Sequence, residues 1–175
     1  MAEGRDALVR LDRVTRVATA KAQLDSFISK YSPEVAKLGR AALARMRKLL
    51  PAAQILVYDN YNALAVGFGS SERTSEIVFS IAFYPRWVSL FFARGVGLPD
   101  PHRRLKGSGS VVRHVVLTDV AILDDPQIRE LMQHALARSG VSLQTGKRGA
   151  IVIKSISARQ RPRRSPTTTK ARARS

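Results

Sequence analysis

The stretch HRRLKGSGSVVRH, residues 102–114, holds the densest set of groups suited to gripping an anion. Gly107-Ser108-Gly109-Ser110 offers backbone N–H groups that a carboxylate or phosphate can approach closely. Arg103, Arg104, Lys106 and Arg113 add positive charge. This is not a nucleotide P-loop, because the Gly-Lys-Ser/Thr order is missing and a strand pattern follows where a helix is needed. Two readings stand: a basic loop entering a strand, or an anion site. In the second, Lys106 and Arg113 hold the charge, Gly107 and Ser108 lend N–H groups, and Tyr61, Tyr84 or Trp87 form a stacking wall.

Other chemistry is thinner. The chain has no cysteine, which removes disulfides, thiolate metal sites and cysteine nucleophiles. No catalytic triad is legible around His102, His114 or His134. His134 reads as a helix-surface or packing residue and His114 as a strand residue. Asp100-x-His102 supplies two ligands in a Pro-rich loop, whereas hard cations recruit several oxygens, so no metal or cofactor is expected. Asp124 and Asp125 precede Pro126 and read as helix caps rather than an acid/base pair. Whether Asp59 meets Glu72 or Glu76 across a sheet is not readable.

Charge is uneven. The formal net charge is +17, and the last 30 residues contribute ten Lys/Arg and no acid. The high isoelectric point thus belongs largely to the C-terminal end. From Ala158 onward large apolar residues are lacking, so a disordered basic tail over 158–175 is expected. Arg159, Arg161, Arg163, Arg164, Lys170, Arg172 and Arg174 would attract nucleic acid through counterion release, without sequence preference. Without aromatic residues this tail cannot stack bases by itself. Acidic lipid contact and simple solubility are the other readings.

These groups need elements to position them. A content of 45% hydrophobic residues in 175 suffices for one domain with tails. Residues 1–22 form a basic, weakly amphipathic segment. Leu24, Phe27 and Ile28 suggest a short helix ending near Tyr31. Ser32-Pro33-Glu34 opens a helix over 33–50 as N-cap, first helical residue and dipole-matched acid, and Pro51 stops it. QILVY (54–58) and ALAVGF (63–68) read as strands around the turn residues DNYN. VVRHVVL (111–117) is another strand. Asp125-Pro126 opens a helix that Gly140 ends, buried through Ile128, Leu131, Met132 and Ala135. AIVIKSI (150–156) reads as a last, edge strand.

The segment IVFSIAFYPRWVSLFF (77–92) alternates with period two on both sides of Tyr84-Pro85-Arg86-Trp87. A two-residue turn at Pro85-Arg86 would need positive φ at proline, which its ring forbids. A four-residue loop over 84–87 instead pairs Phe83 with Val88, Ile81 with Leu90 and Phe79 with Phe92, so that six bulky groups share a face. A slip of one residue would oppose Phe83 to Ser89. The reverse face, with Ser80, Ala82, Ser89 and Phe91 and with Tyr84 and Trp87 at its rim, is shallow. The first expectation is a helix packed into it, and the alternative is a ligand floor. The whole predicts an α+β fold: an antiparallel β-sheet of about five or six strands flanked by N-terminal helices and a C-terminal helix.

Four strings, VYDNYNALAVGF (57–68), IVFSIAFYPRWVSLFF (77–92), LPDPHRRLKGSGSVVRHVVL (98–117) and IVIKSISARQRPRR (151–164), resemble the YdhG-like family. This largely bacterial family is catalogued as a domain of unknown function. The resemblance runs from about Leu24 to Arg164 and implies a compact α+β domain over 23–157. The family has no established catalytic residues to carry over. One branch is labelled a frataxin-like intracellular iron chaperone, which implies clustered exposed carboxylates, whereas acids here are few and scattered. No apolar run is long enough to span a bilayer and no signal peptide is apparent, so a cytoplasmic address is expected. The sequence thus points to a non-enzymatic binding module for a small anionic ligand. The alternatives are a nucleic-acid-associated protein acting through its tail or, from the family label alone, an iron chaperone.

Overall fold

A computed structural model describes residues 19–166. Helix α1 occupies 19–29, followed by α2 (Pro33–Leu49) and, after five strands, α3 (Pro126–Ser139). The strands are β1 (Gln54–Asp59), β2 (Leu64–Gly69), β3 (Ile77–Phe83), β4 (Val88–Phe92), β5 (Arg113–Leu117) and β6 (Ile151–Ile156). They form one sheet in the order β5-β4-β3-β2-β1-β6. The expected α+β class is therefore observed. The sheet is mixed, because β6 lies at the edge but runs parallel to β1.

The helix starts follow local chemistry. Ser32 caps α2, its hydroxyl accepting from the Val35 N–H, and Asp125 caps α3 by accepting from the Gln127 N–H. Asp124 does not cap. Its carboxylate takes a fork of hydrogen bonds from Arg45 of α2 instead, which ties α2 to the start of α3.

The β3–β4 register is the predicted one, with Phe83 opposite Val88, Ile81 opposite Leu90 and Phe79 opposite Phe92. The Tyr84 N–H donates to the Trp87 carbonyl at 2.9 Å to close the loop, and neither Pro85 nor Arg86 takes positive φ. Against β2, however, Gly69 pairs with Ile77 and Phe68 with Phe79, leaving Val78 as an extra residue. This bulge corrects the simple alternation expected for 77–83. Val78 joins the core. Ile77 swings to the other face, where its Cδ1 lies 2.6 Å from the place a Cβ on Gly67 would take.

All three helices share one core with one face of the sheet: Ile28, Leu43 and Leu131 cluster with Val66, Phe79, Ile81, Phe83, Leu90 and Val115. Gly39 lets α2 approach so closely that an added Cβ would sit 1.9 Å from the Phe83 ring. The reverse face carries Gly67, Ser80, Ala82 and Ser89. Its buried Leu56 and Ala82 stand outside that core. The helix expected on this face is absent among the described residues, because the large side chains on the opposite side recruit every helix.

Candidate functional site

The pairings Asp59–Leu64, Leu64–Phe83 and Phe83–Val88 gather the β1–β2 turn and the β3–β4 loop at one end of the sheet. Since β6 runs parallel to β1, the chain also leaves β6 at that end. Residues 158–166, expected to be disordered, are instead laid back over it as a strap. The Ser157 N–H donates to the Asp59 carbonyl and the Arg161 N–H to the Tyr61 carbonyl, both at 2.9 Å.

Arg163 anchors the strap. The residue is 5% exposed and its guanidinium donates to Asp59 Oδ1 at 2.8 Å. It also donates to the carbonyls of Asn60 and Tyr61 and lies over the Tyr31 ring, 5.6 Å from its centroid. Lys30 Nζ reaches Asp59 Oδ2 at 3.1 Å. Each oxygen of the buried carboxylate therefore meets a cation, the pairing that burial of a charge requires. The Tyr31 hydroxyl donates to the Phe83 carbonyl at 3.0 Å and accepts from the Leu64 N–H at 2.9 Å. Burial pushes its pKa up to about 12. Arg164, which stays exposed, donates to the carbonyls of Ser29, Lys30 and Tyr31, which caps the C-terminal end of α1. Arg163 is thus a buried fastener and not free to meet a nucleic acid, whereas Arg164 is exposed and borders the cleft described next. Arg159 and Arg161 are exposed, and Lys170, Arg172 and Arg174 lie outside the described residues.

Between strap and loop lies a cleft of about 940 Å³, bounded by Asn62, Tyr84, Arg86, Trp87, Arg161 and Pro162. Tyr84 and Trp87 stack with ring centroids 5.0 Å apart and planes 21° from parallel, and Trp87 is 40% exposed. Pro85 and Pro162 stiffen the two sides. Flat rings and arginines here face a common space, a combination suited to a ring bearing a negative charge.

The predicted partners of this wall are elsewhere. Arg113 pairs with Phe92 at the far end of β4, and four to five strand residues separate Phe92 from Trp87, roughly 15 Å. The Arg113 guanidinium donates to the Gly109 and Val112 carbonyls of its own loop. Lys106 pairs through its backbone with His114 and so covers part of the β5 edge. Gly107 takes φ +116° and, like Ser108, is exposed. The seven-residue site therefore divides: Tyr61, Tyr84 and Trp87 at one end, Lys106, Gly107, Ser108 and Arg113 at the other.

Of the remaining chemistry-bearing residues, His102 is exposed, and the following have structural partners. Both Asp100 carboxylate oxygens accept backbone N–H groups, from Arg104 and Leu105. Arg104 in turn bonds Asp125 and Gln127. His114 stacks on Phe91 with centroids 5.1 Å apart. His134 lies 3.8 Å from Glu130 on the same helix. Among the described residues no three His, Asp or Glu side chains gather to hold a metal ion, and no helix is long and apolar enough to cross a membrane.

The strap is the part of the candidate site that the sequence signals least. Its signal was Asp59, which continues the buried phase of Ile55 and Val57 and so calls for a cation from elsewhere in the chain. Compared with family models, curated proteins and solved structures, the chain matches none.

Proposed function

We propose that this chain is a binding module for a small anionic ligand that carries a flat ring, held in the cleft between Trp87 and the strap. The observation that carries the reading is the meeting of stacked Tyr84 and Trp87 with Arg86 and Arg161 around one open space. The ring would lie against Trp87 and the carboxylate or phosphate would take its hydrogen bonds from Arg161 and Arg86. The volume is at the upper end of the range for small-molecule sites, about 300–1,000 Å³. Membership in the YdhG-like family and a cytoplasmic address belong to the same proposal, on the strings quoted above.

A thermal-shift panel of aryl carboxylates and aryl phosphates, set against aliphatic anions of equal charge, tests it. Ligands that prefer the native state raise its midpoint. Ring-bearing anions should raise the midpoint and aliphatic ones should not. Equal response to both would rule the cleft out.

One observation favours a second reading, contact with single-stranded nucleic acid. The strap lays Arg161 beside Trp87 and so gives the basic tail the stacking ring its own sequence lacks. Removal of residues 167–175 and Trp87→Ala should then each weaken oligonucleotide binding, the first with a shallower salt dependence.

A further inference from the structure

A second cavity lies away from the strap, between α1, α2 and the sheet. Its volume is about 340 Å³, within the lower range of small-molecule sites. The floor is Ile55, Val66, Phe68 and Ile151, and Leu24 and Leu43 form the walls. Each of these residues is at most 8% exposed, so core residues form the floor and walls of a groove that opens to solvent between the helices. The apolar floor and walls offer water no hydrogen-bond partners.

The mouth has the opposite character. Lys21, Arg40 and Arg47 stand there with a single carboxylate, Asp25. Asp25 is matched by Arg40, at 3.6 Å. No carboxylate is paired with Arg47 among the described residues. Burial, and then the neighbouring Arg148 cation, push the Arg47 guanidinium below its ordinary value. An anion at the mouth would favour the charged guanidinium and so offset both effects.

We propose that this cavity is a binding site for a single apolar chain ending in an anionic head group. The chain lies on Val66 and Phe68, and the head meets Arg47 and Lys21. Charge complementarity selects this occupant: a neutral chain leaves the cations unanswered, and a cationic amphiphile meets like charge.

Decanoate is the probe, titrated calorimetrically into the full chain, with decylamine and decanol as controls. Decanoate should bind at one site and more tightly than either control. Arg47→Glu should weaken it by roughly tenfold or more, the scale of one lost hydrogen bond to a charged group. Ala44→Phe, on the exposed lip of α2, should abolish binding by filling the groove. Unfolding midpoints establish that both variants are folded. In the wild type, decanoate should give nuclear Overhauser contacts to the methyl groups of Leu43 and Ile151. Absence of binding to the full chain, equal binding of decylamine, an unchanged affinity in Arg47→Glu, or contacts to other methyl groups would each overturn the proposal.

Discussion

Arg163 closes on the buried carboxylate of Asp59 at 2.8 Å, across 104 residues of chain. This one pair turns a stretch without large apolar groups into part of the folded domain. Arg163→Met leaves Asp59 with Lys30 as its remaining cationic partner, and Lys30 is 41% exposed. Breaking a buried pair from one side costs about 3 kcal/mol or more, and urea unfolding should register that loss. Truncation after Ser157 removes Arg163 and Arg164 together and should destabilise at least as much. Truncation after Pro166 keeps both arginines and is the cut that separates the distal tail from the strap.

Tyr31 reports on the same corner. Burial pushes its phenol pKa up from the ordinary 10 to about 12. The protonated form is favoured in the folded state. Its contribution to stability is therefore complete below pH 10 and is lost as the pH rises through about 12. In an ultraviolet titration the wild type should show a late tyrosinate step that Tyr31→Phe lacks. If the two curves differ by an ordinary tyrosine step near pH 10, the phenol is not buried as described.

Gly39 sets the distance between α2 and the sheet. A Cβ there would meet the Phe83 ring at 1.9 Å, so Gly39→Ala should cost about 1–3 kcal/mol by overpacking, despite alanine's better helix propensity. Phe83→Leu in the same chain should recover part of that loss. A double-mutant cycle in denaturant would measure the coupling.

Much of the fold was legible because hydrophobic alternation is strict. The six bulky residues around Tyr84–Trp87 admit only one register, and the structure has it. Ser32-Pro33 and Asp125-Pro126 fixed two helix starts because capping is local chemistry. The bulge at Val78 was not legible. Ile77 and Val78 are both large and apolar, so either suits the core, and the choice depends on Gly67 leaving room across the strands. The direction of β6 was equally hidden, since an edge strand of the same composition can pair either way. The candidate site was half legible. Tyr84 and Trp87 are recognisable as a rim, but Lys106 and Arg113 are close to them only in a reading that ignores the length of β4. Of the arginines that border the cleft, Arg86 is next to Trp87 in sequence, but Arg161 comes from the strap, whose folding depends on an ion pair that hydropathy does not register.

The chain has a single tryptophan, Trp87, so intrinsic fluorescence observes the proposed cleft without a label. Titration with aryl phosphates and aryl carboxylates should quench or shift that emission saturably. Arg161→Ala should weaken the response by roughly tenfold, the scale of one charge-assisted hydrogen bond, whereas Lys106→Ala and Arg113→Ala should leave it unchanged. Saturable binding with Trp87 emission unaltered, or loss of binding in Lys106→Ala and not in Arg161→Ala, would contradict the account.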